Sequence, residues 1–264
     1  MLRQRILTAV IGLPIFLAAI WFGNPWFTLV IAIIAVLASL EFYRVTIKYI
    51  KRPIIFFAVI VIFLLTLSPY YPGFITRPVI LTSAIIVSLI WLLFLREKDR
   101  AFLDWAFVVA GILYIGWMLS YWSDLSHIET GREFILWSIL IVMSNDTSAF
   151  FIGRSWGKHY LAPSISPKKT WEGAIGGSII SIIISVIFGI VLSLPLAYWH
   201  LILFGLGISI LAQLGDLVES LLKRNTGVKD SSKLIPGHGG ILDRLDSFIF
   251  VGAVVYIFAI NYAG

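Results

Sequence analysis

Cysteine is missing altogether from the 264 residues, so the chain forms no disulfide and offers no thiolate to a metal. Charge is scarce: 13% of residues are Asp, Glu, Lys or Arg, while 59% are hydrophobic. A soluble domain carries about 25% charged residues. A chain this poor in charge cannot clothe an ordinary surface, which excludes the soluble globular classes. Apolar and polar residues do not alternate with period two, so a transmembrane β-barrel is excluded as well. Fixed-period repeats, low-complexity tracts and separable soluble domains are also lacking, and residues 1–264 read as one integral membrane domain. The formal charge of +6 would suit nucleic acid, but membrane topology accounts for it better, and no nucleic-acid partner is expected.

Long apolar runs, by contrast, are abundant. A membrane helix needs about 20 mostly apolar residues, and hydropathy predicts nine. They cover roughly Ile6–Phe22, Trp26–Leu40, Pro53–Leu67, Pro78–Leu95, Phe102–Leu119, Phe134–Ile152, Ala174–Leu194, Trp199–Val218 and Ser247–Tyr262. In lipid the backbone must satisfy its own polar groups, so these are helices. The predicted fold class is an all-α polytopic membrane protein, a bundle of about nine transmembrane helices. Met1 to Arg5 and the following apolar run imitate a secretory signal; no small-x-small cleavage site follows Ala18-Ala19, and the run reads as a retained span. With the N-terminus in the cytoplasm, 18 of the 20 Lys and Arg fall on the inner side and only Arg77 and Arg132 outside, as the positive-inside rule asks. Trp26, Tyr121, Trp122 and Trp199 lie near span ends, where aromatic anchors are common. Gly173 and Gly177 have the spacing of a close helix-packing pair.

The first 120 residues read mainly as scaffold, their charges assigned to loops. Residues 134–246 differ. Asp146 lies inside the sixth span and Asp216 inside the eighth. An ionised carboxylate at membrane depth costs at least a few kcal/mol unless it finds a partner. That partner is either a neighbouring Lys or Arg in a buried ion pair, or a bound metal. Gln213, Asp216, Ser220 and Lys223 recur at helical spacing, a polar stripe running out of the eighth span; Asn145 and Ser148 flank Asp146. Asp243 and Asp246, three apart, face one way on a helix; they cap that helix, bind a cation, or act as an acid/base pair, a use that sits poorly among so many cations. Carboxylates with no cysteine and little histidine around them select a hard cation, Mg²⁺ above all. Lys168 and Lys169, in SPKKTWEG, lie in a cytoplasmic loop where cations meet lipid head groups or a phosphate. The turn Pro236–Gly240 brackets His238, which would donate to a phosphate, ligate metal or brace the turn; Gly239 and Gly240 let backbone N–H groups approach an anion.

The stretch Ser220 to Asp246 resembles the signature of the CDP-diacylglycerol synthases, the phosphatidate cytidylyltransferases. Ser220 and Lys223-Arg224 open it. Lys229-Asp230 and Ser232 follow, then Ile235-Pro236 with His238-Gly239-Gly240, and Asp243-Arg244-x-Asp246 closes it. These 27 residues depart nowhere from the pattern. The segments SNDTSAFFIGRSWGKH and SPKKTWEG are similar to the family as well. The resemblance implies an enzyme that joins CTP and phosphatidate into CDP-diacylglycerol and pyrophosphate with a divalent cation, and a second, monovalent cation such as K⁺ is open. It implies catalytic roles for Lys223, Arg224, Lys229, Asp230, His238 and Arg244. Substrate binding falls to Asn145, Lys168, Lys169, Ser220, Gly239 and Gly240, and metal binding to Asp146, Asp216, Asp243 and Asp246. It further implies a site at the cytoplasmic face of a bacterial-type cytoplasmic membrane, with lipid bilayer around it and a homodimer as the assembly. The main competing class is an ion or proton transporter relaying through Asp146 and Asp216, which leaves the dense signature without a use. A CDP-alcohol phosphotransferase would need a DGxxAR run, which is missing. A membrane prenyltransferase would need NDxxD, and Ala149 stands where the second Asp belongs.

Overall fold

The computed structural model describes residues 2–46, 52–71, 73, 76–95, 99–229, 231–232 and 239–262. Lys48, Lys51, Arg96, Lys98, Asp230, Lys233 and His238 lie outside them. Among the described residues run nine helices, one for each predicted span: α1 Leu2–Phe22, α2 Trp26–Thr46, α3 Arg52–Leu67, α4 Arg77–Leu93, α5 Ala101–Leu125, α6 Gly131–Trp156, α7 Trp171–Val191, α8 Tyr198–Thr226 and α9 Leu242–Tyr262. Six of these, α2 and α5 to α9, are long and apolar enough to cross a membrane; α1, α3 and α4 contribute the shorter apolar runs Gly12–Phe22, Ile54–Tyr70 and Arg77–Leu93. The chain is thus an all-α, multi-pass membrane protein in architecture. One departure is a two-stranded antiparallel hairpin, β1 Tyr160–Ala162 against β2 Ser166–Thr170, where the sequence suggested only a loop. It is too short for hydropathy to register.

The chain falls into two compact units: residues 1–127 with 228–243, and residues 128–227 with 244–264. In the first, α2 is the central helix. Phe27, Ile31, Ala35, Ala38 and Phe42 recur every three or four residues and are all buried, so one stripe faces the neighbouring helices. α2 also runs to Thr46, past the predicted end at Leu40. The idea that first-half charges sit in loops therefore needs correcting: Glu41 and Arg44 are helical, and Glu41 is buried. Tyr43 donates to the Val108 carbonyl at 2.9 Å, and a Cβ at Gly111 would run into the Tyr43 ring. Immediately after this contact α5 widens into a π-helical stretch, Ile112–Trp117. Trp122 is buried and is a core residue rather than an interface anchor. Asp124 at the end of α5 pairs with Arg77, and both line a cavity of about 450 Å³ with Ser68, Thr76 and Trp117. None of the predicted site residues lines it.

In the second unit α6, α7 and α8 pack tightly because small residues let backbones meet. A Cβ at Gly173 would come 2.7 Å from the Ala149 carbonyl, and one at Gly177 would come 2.9 Å from Asn145 Oδ1; the predicted glycine pair is a packing face. Trp137 donates to the Ser185 carbonyl at 2.9 Å, and Ser185 to that of Leu201 at 2.6 Å. The hairpin leads into α7, whose N-cap Thr170 accepts from the Gly173 N–H at 3.2 Å. α8 extends well beyond the predicted end at Val218. At 1.5 Å per residue its 29 residues span roughly 43 Å, more than a hydrocarbon core of about 30 Å. It stops at Gly227 in the left-handed conformation, φ 74°, with Lys223 and Arg224 in its last turn where cations suit the helix dipole.

Candidate active site

Three helices of the second unit each bring a carboxylate to one place: Asp146 from α6, Asp216 from α8 and Asp246 from α9. The charges of Asp216 and Asp146 both act on Asp246, and those of Asp216 and Lys169 act on Asp146. The meeting of α8 with α9 rests on Gly215, where any Cβ would collide with the Asp246 carbonyl. Asp216, the next residue, is thereby held against the first turns of α9. Lys169, on β2, places its Nζ 2.6 Å from Asp216 Oδ2, and Ser220 donates to Asp216 Oδ1 at 3.3 Å, one turn along α8. Asp246 accepts from the Ser247 N–H at 2.7 Å, and the Ser247 side chain acts on Asp146. Lys223 acts on Asp246 and pairs with the fully buried Glu219 one turn before it.

Asn145 orients Asp146. Its Oδ1 accepts from the Ser209 hydroxyl at 2.7 Å and from Gln213 Nε2 at 3.0 Å, so its amide nitrogen is left to donate to Asp146 Oδ1 at 3.1 Å. Gln213 also donates to the Ala174 carbonyl at 3.2 Å. The sequence placed Gln213 in the polar stripe, but only the fold reveals that it crosses to a neighbouring helix instead of lining the stripe with Asp216. The two lysines of SPKKTWEG part company because successive strand residues point to opposite faces: Lys169 meets Asp216, while Lys168 is exposed. Arg224 is exposed and ties the end of α8 to the hairpin turn, its Nε donating to the Ile165 carbonyl at 3.1 Å. Lys229 and Arg244 are exposed.

The remaining predicted residues belong to the first unit. Asp243 Oδ2 accepts from the Gly240 N–H at 2.8 Å and from the Ser231 N–H and hydroxyl at 3.1 and 3.0 Å. Gly239 has φ 88°, and a Cβ there would lie 3.0 Å from Asp243 Oδ2, so the turn requires glycine. Glu41 joins this group, accepting from Ser231, Ser232, Ile241 and Leu242. Sequence reading passed it over; an acid immediately after an apolar run was the available signal. Among the described residues no three His, Asp or Glu side chains are gathered closely enough to hold a metal ion as they stand. The Lys169 ammonium instead neutralises part of the charge at Asp216.

In chemical terms the second-unit group is an accessible cluster of acids lined with cations: Asp146 is exposed, and Asp216 and Asp246 are half-buried. Such a place suits a polyanion that arrives with its own counter-ion. Comparison with known proteins gives the family. Residues 3–261 match the profile of the Cytidylyltransferase family. The phosphatidate cytidylyltransferase of Bacillus subtilis (strain 168) is 35% identical over 261 residues, covering 97% of this chain and 96% of that protein. The protein of the same name from Staphylococcus haemolyticus is 40% identical over 263 residues, covering 98% and 100%; that of Staphylococcus aureus (strain COL) is 37% identical over the same length. With a signature that departs nowhere from the pattern and a match along nearly its whole length, the chain belongs to the cytidylyltransferase family.

Proposed function

We propose that the chain transfers the cytidylyl group of CTP to phosphatidate, forming CDP-diacylglycerol and releasing pyrophosphate. The observation that carries this reading is the convergence of Asp146, Asp216 and Asp246 beside Lys169 and Lys223 in a member of this family. In the reaction a phosphate oxygen of phosphatidate attacks the α-phosphorus of CTP, and the bond to the β-phosphate oxygen breaks. The attacking oxygen is already anionic, so no strong base is needed. The barrier lies in bringing two polyanions together, and fixed cations plus positioning lower it. Lys223, Arg224, Lys229 and Arg244 are proposed to stabilise the transferring phosphoryl group and the departing pyrophosphate. Lys168 and Lys169 would receive the lipid phosphate or the triphosphate, with Asn145, Ser220, Gly239 and Gly240 positioning substrate and Asp230 and His238 completing the signature.

The donor set of the cluster is carboxylate oxygen throughout, which suits a hard cation such as Mg²⁺. Asp146, Asp216 and Asp246 would hold it, and bound there it would neutralise triphosphate charge; the resemblance gives Asp243 a metal-binding role as well. A monovalent ion such as K⁺ beside it and a homodimeric assembly are part of the same proposal. None of the relatives named above supports the transporter reading.

The decisive assay gives the purified protein CTP labelled at the α-phosphate, together with phosphatidate and Mg²⁺. Label is expected in a lipid product only when phosphatidate is present, and label that stays in water-soluble species overturns the activity. For topology we propose that all nine helices span a bacterial cytoplasmic membrane, N-terminus inside, so that a water-soluble nucleotide and a lipid substrate meet at the inner face. Because the chain has no cysteine, Lys168→Cys and Arg132→Cys each create a single thiol. An impermeant maleimide added to intact cells is expected to label the second and spare the first; the reverse pattern refutes the orientation.

A further inference from the structure

Glu41 is a buried acid whose ties are made by fixed donors. It lies in α2 and is 4% exposed. Its Oε1 accepts from the Ser232 hydroxyl at 2.5 Å and the Ile241 N–H at 3.0 Å; its Oε2 accepts from the Leu242 N–H at 2.8 Å and the Ser231 hydroxyl at 3.1 Å. A carboxylate has room for about four such donors, so these four fill it. Ile241 and Leu242 stand at the start of α9, whose first N–H groups have no acceptor within the helix and whose positive end favours an anion. Ser231 and Ser232 come from ten residues earlier. One α2 side chain therefore ties the start of the last helix to the segment after Val228.

The same tie reaches the signature glycines. Ser231 has one hydroxyl hydrogen for two acceptors, Glu41 Oε2 and Asp243 Oδ2. Gly240 sits between them: a Cβ there would collide with Ser231 Oγ and stand 2.5 Å from Glu41 Oε2. Close approach to the carboxylate thus dictates glycine at 240, and the N–H of that glycine goes to Asp243 at 2.8 Å.

We propose that Glu41 is a positioning residue for the cytidylyl-transfer site: it sets the placement of Gly239, Gly240 and Asp243 without itself meeting substrate. This rests on the functional reading above. Glutamine makes a sharp probe. Each oxygen of Glu41 faces a backbone N–H, so whichever way a glutamine amide is turned, its NH₂ opposes a donor. Glu41→Gln is expected to lower kcat/KM for CTP about ten- to a hundredfold, and to speed hydrogen exchange at the Ile241 and Leu242 amides by a similar factor, while exchange within α6 stays unchanged. Glu41→Asp, which keeps both acceptors, is expected to recover part of the rate. Should Glu41→Gln fail to fold, the double variant Ser231→Ala/Ser232→Ala removes two of the four donors and is expected to show the same effects at smaller size. Unchanged exchange at Ile241 and Leu242 overturns the tie whatever the activity does. Faster exchange with wild-type kcat and KM overturns the positioning role. A wild-type protein that transfers no label condemns the assigned reaction instead, and the exchange result still judges the tie.

Discussion

Two groups of acids survive in this apolar chain by different means. In the first unit, Glu41 and Asp243 are met by backbone N–H groups and serine hydroxyls. In the second, Asp146, Asp216 and Asp246 act on one another, Lys169 pairs with Asp216, and a neutral donor reaches each of Asp146 and Asp246. Fixed neutral donors satisfy a carboxylate permanently and make it part of the framework. Mutually repelling carboxylates beside ammonium groups are satisfied only in part, and gain further when a cation arrives. The first arrangement holds a loop; the second is suited to exchanging partners. Exposure follows the same division: Glu41 is sealed away, whereas Asp146 is open.

Asparagine substitutions break this contrast most severely. Asp216→Asn and Asp246→Asn are expected to lower turnover on the order of 10²- to 10³-fold while the protein elutes and melts as a folded species; steady-state assays with labelled CTP measure it, and near-wild-type rates would overturn the metal-binding role proposed for them. Asp243→Asn tests to which group that residue belongs. A loss of the same size, without faster exchange at Gly240, groups Asp243 in function with Asp216 and Asp246, and a loss accompanied by faster exchange there groups it with Glu41. Lys169→Met comes next, with an expected loss of about ten- to a hundredfold because it leaves Asp216 without its cation. Higher Mg²⁺ is expected to restore part of the rate, and no response to Mg²⁺ would argue against a shared role. Gln213→Leu is the mildest. Ser209 still orients Asn145, so a loss of about tenfold or less is expected, read as kcat with unchanged protein yield.

Much of this was legible without coordinates. Asp146 and Asp216 stood out because an acid inside an apolar run needs a reason, and the signature from Ser220 to Asp246 marked the rest. The glycine pair Gly173 and Gly177 signalled the packing face it proved to form. Other features were hidden. The chain boundary assigned to Leu40 left Glu41 among loop charges, since hydropathy registers where apolar residues stop and not where the helix stops. The hairpin carrying Lys168 and Lys169 is too short to show a period, so nothing in SPKKTWEG tells that only one lysine turns toward Asp216. Gln213 shares a helical face with Asp216, yet its partner is Asn145, 68 residues away.

Composition and spacing by themselves determined that this is a chain of apolar helices, which residues are anomalous among them, and the family. Those properties follow from solvation and local geometry, which each segment carries alone. Which acids share a site, which lysine neutralises them and which glutamate braces the loop were decided only by the tertiary structure. A carboxylate's role depends on what surrounds it within a few ångströms, and those neighbours come from helices far apart in the chain.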